Sequence, residues 1–157
     1  MELIEFTLNG REEAVAARPE EPLLDVLRRQ FKLFSVREAC GIGICGSCTV
    51  SVAGRMVSSC LMLVGQAAGS AIETAESLSE TGQLHPIQQA FVEHNAFQCS
   101  YCTPGFLMAT RELLATNPRP TEDQIREHLA GNICRCGSYL KIVEAVTDAA
   151  GRLTADG

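Results

Sequence analysis

The sequence predicts an α+β chain of two small domains, a strand-rich first half with one helix followed by an all-helical second half. Three observations carry this expectation. The hydrophobic period changes from two to about 3.6 near the middle of the chain. Eight cysteines divide into two quartets, one on each side of that change. Between the quartets, Glu73 to Gly82 is rich in Gly, Ser and Glu and has the composition of a linker. At 157 residues with 46% hydrophobic and 20% charged content, the chain suits one compact unit or two very small ones and is too apolar for wholesale disorder.

In the first half Ile4, Phe6 and Leu8 alternate with polar residues up to Asn9-Gly10, and an extended pattern resumes from Glu12 to Ala17, which predicts a hairpin about an Asn-Gly turn. Pro22 suits a first helical turn, and Leu23, Leu24, Leu27 and Phe31 share one face of a helix over Pro22 to Phe31. A second hairpin is expected from Thr49–Val52 and Met56–Ser59 about Ala53-Gly54, and Ser70 to Thr74 supplies a last strand. In the second half four helices are predicted, starting at Pro86, at Thr103-Pro104, after Thr121 and after Ser138. Thr121-Glu122-Asp123-Gln124 has the capping-box form, and Pro86 and Pro104 are both tolerable in first helical positions.

Composition excludes several function classes. Thirteen basic against nineteen acidic side chains give a formal charge of −6, and only Arg28-Arg29 and Lys32 form a small basic group, which argues against a nucleic-acid grip. Trp is absent and aromatics make up 5%, too few for base-stacking platforms. No apolar run approaches the roughly 20 residues of a membrane span. Met1 to Gly10 carries Glu2 and Glu5 and lacks the basic and apolar regions of a secretory signal, so a cytoplasmic protein is expected. In a reducing compartment eight cysteines point to metal rather than to four disulfides.

Cys40, Cys45, Cys48 and Cys60 have the C-x4-C-x2-C…C spacing of plant-type ferredoxins, in which four thiolates hold a 2Fe-2S cluster. Gly41, Gly43 and Gly46 let the loop wrap closely and aim backbone N–H groups at sulfur, which stabilises the reduced cluster. A four-cysteine zinc site is the alternative, though paired C-x2-C knuckles would be more usual there. In the second quartet Cys99-x2-Cys102 and Cys134-x1-Cys136 each precede a predicted helix start, where free N–H groups and the positive dipole end favour an anionic cluster.

Three stretches, 43–50 (GICGSCTV), 98–105 (QCSYCTPG) and 131–136 (GNICRC), make the chain resemble the iron–sulfur subunits of the xanthine oxidase family of molybdenum hydroxylases. The resemblance covers almost the whole chain. It implies a β-grasp 2Fe-2S domain over residues 1–76 and a helical four-helix domain over residues 77–157, each with one 2Fe-2S cluster. It further implies that Gln98 hydrogen-bonds the pterin of a molybdenum cofactor held by a large partner subunit, and that Cys136 is both a cluster ligand and a contact to that pterin. A medium FAD subunit or an external acceptor would take the electrons. The family usually has Gly at the position of Ser100, Thr-Gly where this chain has Gly137-Ser138, and commonly Gly at Ala39; none of these departures removes a thiolate.

Other residues have plainer expectations. Gln98 can equally bond local backbone at a helix end. Arg135 can pair with an anionic group or remain solvated. Tyr101 and Tyr139 are expected to pack around the second quartet, His85, His94 and His128 to be surface or interface residues, and Glu73, Glu76 and Glu80 to solvate the linker. The expected function is electron transfer as one subunit of an oxidoreductase, with no substrate chemistry in this chain. A free-standing ferredoxin and a zinc-stapled interaction module are the competing readings.

Overall fold

The computed structural model describes residues 1–79 and 82–155. Strands β1 (Glu2–Leu8) and β2 (Arg11–Ala17) form the first hairpin, with Leu8 opposite Arg11. Its turn needs two left-handed residues, supplied by Asn9 (φ 49°) and Gly10 (φ 80°). Alternation puts Ile4, Phe6 and Leu8 on the buried face.

Helix α1 (Leu23–Arg29) is shorter than the sequence suggests. Pro22 is extended and bridges to Leu63, and the helix closes at Gln30. Seven residues cannot sustain a helix in water, so burial of Leu23, Leu24, Val26 and Leu27 maintains it, at about 1.5–3 kcal/mol per fully buried aliphatic side chain. Phe31 lies past the helix but still packs edge-on against Phe6, 5.6 Å between ring centroids. The first free N–H groups of α1 donate to the carbonyls of Met62 and Ser59, which pins the segment between them.

β3 (Thr49–Val52) and β4 (Arg55–Ser58) form the second hairpin, and β5 (Ala71–Glu73) lies parallel to β1 and antiparallel to β3. The sheet order is β2-β1-β5-β3-β4. Its apolar face and α1 enclose one core around Phe6, Leu23, Leu27, Val50 and Ile72.

The second half carries α2 (Pro86–Glu93), α3 (Thr103–Thr116), α4 (Glu122–His128) and α5 (Tyr139–Ala155). The capping box at Thr121 is formed, its Oγ1 accepting from Gln124 N at 3.3 Å. Pro86 is the first residue of α2, whereas Thr103 takes that position in α3 and Pro104 the second. Ile87, Phe91, Phe106, Ile125, Ile142 and Val146 form a separate core. The chain is thus α+β with two cores. No helix among the described residues is long and apolar enough to cross a membrane.

The linker expectation needs correction. Glu73 ends β5, Ala75–Ser79 forms a 3-10 turn, and Leu78 is buried in the helical core. Glu73 accepts from Arg111 at 2.8 Å, and Glu76 accepts from Ser35 and Thr74, so these two carboxylates tie elements together rather than merely solvating. Glu80 lies outside the described residues.

Candidate metal centres

The first quartet is built on the loop between α1 and β3. Gly41, Gly43 and Gly46 have φ of 66°, 76° and 70°, the left-handed turns that fold this loop back on itself. Ile42 N donates to Cys40 Sγ at 3.5 Å. Cys48 is buried at the entry to β3, and Cys60 follows β4. The two are locked by Ser59, whose Oγ donates to the Cys48 carbonyl at 2.8 Å. Hydrogen bonds from the backbone N–H groups of Ile42 and Ile44 lower the Cys40 thiol to about 6. Burial, with the Cys48 sulfur beside it, pushes Cys60 up to about 11.

The second quartet sits where helices begin. Cys102 caps α3, and Cys134 and Cys136 lead into α5. Tyr101 N donates to Cys99 Sγ at 3.5 Å, repeating the Ile42–Cys40 contact of the first loop. Ser138 N donates to Cys134 Sγ at 3.4 Å, and Cys134 N donates to the Tyr139 hydroxyl at 2.9 Å. Burial, with Cys134 adjacent, pushes the Cys102 thiol up to about 12. Burial also acts against the Cys134 thiolate, but hydrogen bonds from Ser138 and contact with Cys102 outweigh it and lower that pKa.

All eight cysteines are free of disulfides. Among the described residues no three His, Cys, Asp or Glu side chains converge on one ion position. Thiols within each quartet lie close enough to influence one another: Cys40 and Cys45, Cys60 with both Cys48 and Cys40, and Cys102 with both Cys134 and Cys99. Backbone N–H groups of Ile42, Tyr101 and Ser138 aimed at cysteine sulfurs suit an anionic iron–sulfur group, and the C-x4-C-x2-C spacing of the first quartet is not the paired-knuckle pattern usual for four-cysteine zinc. The donor set therefore fits a 2Fe-2S group in each quartet.

A tight seam joins the quartets. Ile133 N donates to the Cys45 carbonyl at 2.9 Å, and Asn132 Nδ2 donates to the Gly46 carbonyl at 3.2 Å. A Cβ on Gly105 would lie 2.1 Å from Gly46 O, and one on Gly46 would lie 2.5 Å from Asn132 Nδ2. Both glycines are thus required by close approach. Tyr101 donates its hydroxyl to the Glu38 carbonyl, and the Arg37 guanidinium lies 5.2 Å from the Tyr101 ring centroid. Tyr101 is therefore part of this seam as well as of the second site. Sequence reasoning overlooked the seam, although a glycine in the first turn of α3 costs helix stability and so signals a close neighbour.

The remaining candidates fall as follows. Gln98 is exposed and donates through Nε2 to the Cys136 carbonyl at 3.4 Å, linking the two ends of the second quartet. Arg135 is exposed. None of the histidines approaches a quartet through its hydrogen bonds: His85 caps α2, His94 contacts Asp148 at 3.0 Å, and His128 contacts the Ala109 carbonyl at 3.1 Å. Exposed apolar side chains surround the first loop, with Ile42 63%, Ile44 60% and Leu61 58% accessible.

Comparison with known proteins agrees with this geometry. Residues 6–76 match the model of the 2Fe-2S iron-sulfur cluster binding domain, and residues 74–147 match that of the [2Fe-2S] binding domain. The chain is 47% identical over 150 residues to the nicotine 6-hydroxylase small subunit of Paenarthrobacter nicotinovorans, covering 96% of this chain and 90% of that protein. Its fold superimposes on a chain of quinoline 2-oxidoreductase from Pseudomonas putida 86 with TM-score 0.95 and 40% identity, covering 99% and 97% of the two chains. It also matches the aldehyde oxidoreductase of Desulfovibrio desulfuricans with TM-score 0.95 and 38% identity, covering 99% of this chain but 18% of that longer one.

Proposed function

The chain belongs to the iron–sulfur subunits of the molybdenum hydroxylases, and from that premise we propose which residues carry its function and where each acts. It is an electron-transfer component of an oxidoreductase complex with a large molybdenum-bearing partner. When bound, the two clusters supply one-electron carriers between a molybdopterin centre in that partner and FAD or another acceptor, reached through the second quartet and then the first.

The residues of this chain hold and tune those carriers. Cys40, Cys45, Cys48 and Cys60 ligate one cluster, and Cys99, Cys102, Cys134 and Cys136 the other. Ile42 N and Tyr101 N, with Ser138 N, donate to ligand sulfurs and favour the more negative, reduced form. Gln98 and Cys136, joined by a hydrogen bond at the exposed edge of the second quartet, face the molybdopterin of the partner. A medium FAD subunit or an external acceptor takes the electrons, and the collar of Ile42, Ile44 and Leu61 suits docking of that acceptor at the first quartet. Residues 1–76 form a β-grasp domain and residues 77–157 a four-helix domain. The complex is cytoplasmic, a compartment that keeps eight cysteines reduced.

The observation that carries this reading is the seam. One hydrogen bond, from Ile133 N to the Cys45 carbonyl, connects a residue adjacent to ligand Cys134 with ligand Cys45 itself, so the quartets form one conduit rather than two isolated staples. Mild purification from native cells tests it. The chain should co-purify with a large subunit, and Cys99→Ser should leave substrate able to reduce molybdenum while reduction of the cluster at Cys40, Cys45, Cys48 and Cys60 fails in rapid mixing. A chain that runs alone with full cluster content, or normal distal reduction in the variant, contradicts it.

A further inference from the structure

Thr103 is the first residue of α3 and directly follows ligand Cys102. Its Oγ1 is sealed from solvent and has no hydrogen-bond partner among the described residues. Buried hydroxyls are rarely left in that state, because water lost on folding must be replaced. Other helical threonines of this chain solve the problem locally: Thr116, Thr147 and Thr154 donate to the carbonyls of Glu112, Val143 and Ala150, four residues back. Thr103 cannot copy them, since four residues back lies Cys99, outside the helix. Three residues back, the Ser100 carbonyl already accepts from the Thr103 backbone N–H at 3.3 Å. Thr110 also has an unpaired hydroxyl, but it lies in mid-helix with the Phe106 carbonyl one turn behind it. Among the unpaired hydroxyls, Thr103 alone adjoins a ligand and stands at the helix end where free N–H donors already favour negative charge.

We propose that the Thr103 hydroxyl, from which no cysteine sulfur accepts, donates a hydrogen bond to inorganic sulfide of the cluster held by Cys99, Cys102, Cys134 and Cys136, and so raises the reduction potential of that cluster alone. The inference rests on the ligand assignment above. A donor aimed at sulfur stabilises the reduced cluster more than the oxidised one, because the added electron increases the charge on sulfur. Thr103 thus acts as a positioning and tuning residue, setting how readily this cluster accepts an electron.

The test is an EPR-monitored redox titration of the intact complex, comparing wild type with Thr103→Val and Thr103→Ser. The two EPR signals are assigned by which one disappears in Cys102→Ser. Thr103→Val should lower the reduced-to-oxidised ratio of the second-quartet signal about tenfold at fixed poise, a shift of about 59 mV for one electron. Thr103→Ser should stay at the wild-type potential, and the other signal should not move in either variant. If valine prevents cluster assembly, Thr103→Ala provides the same readout without a second methyl in contact. An unchanged potential in the variants lacking the hydroxyl overturns the inference, as does a Thr103→Ser shift as large as that of valine. Absence of any 2Fe-2S signal in the wild type would instead overturn the ligand assignment, so the two failures are distinguishable.

Discussion

The two quartets each assemble four thiols, on different scaffolds. The first is a loop site: glycines with positive φ bend the backbone so that N–H groups surround Cys40, whose thiol falls to about 6. The second is a helix-end site: Cys102 and Cys134 are drawn into the helical core, and burial pushes Cys102 up to about 12. The loop site is organised mainly by its own backbone. The helix site draws Cys102 from the start of α3 and Cys134 from the segment before α5, two segments far apart in sequence that meet in the helical core, so a cluster there would cross-link them.

The largest expected effect follows from that difference. Cys102→Ser and Cys45→Ser should each remove about half of the iron, but Cys102→Ser should also lower the melting temperature far more, because it frees two segments of the helical core. Equal melting temperatures in the two variants would break the contrast. Next comes Gly105→Ala, which sets a Cβ against the Gly46 carbonyl, backbone that cannot swing aside. It should cost about 3 kcal/mol in denaturant unfolding, whereas Gly151→Ala, in open space on α5, should be neutral or slightly stabilising.

Ser100 offers a smaller and opposite test. It holds φ 62° in the second loop, the conformation that Gly41, Gly43 and Gly46 supply without strain in the first. Ser100→Gly should therefore stabilise the second site by about 1 kcal/mol, read as a higher melting temperature. A loss of stability would show that the serine side chain, rather than the backbone, matters there.

The smallest effect concerns α5. Hydrogen bonding to Arg152 holds the Asp148 carboxyl below its ordinary value. Its contribution is complete above the unfolded pKa of about 3.9 and is lost as pH falls through the lower folded value. Asp148→Asn should flatten the acid side of the stability curve by a few tenths of a kcal/mol, because the pair is partly solvated.

Much of this was readable in the sequence for physical reasons. The Asn9-Gly10 turn, the alternation Ile4-Phe6-Leu8 and the Thr121 capping box are local signals, and local chemistry decides them. The C-x4-C-x2-C spacing is local as well, so the first quartet can be proposed from a single window of sequence. Helix α1 starts only after Pro22 because that residue is drawn into a bridge with Leu63, a partner some forty residues away that no window reveals. The linker was misread for the same reason: Glu73 finds Arg111, and Leu78 finds the helical core. The Gly46–Gly105–Asn132 seam joins three distant segments and emerges only in three dimensions.

Metal content and low-temperature EPR of the purified complex test the central claim most directly. Two distinct 2Fe-2S signals after reduction, with about four iron and four sulfide per copy of this chain, are the expected result. A colourless chain carrying zinc in place of iron, or a single cluster signal that survives replacement of either quartet, would contradict it.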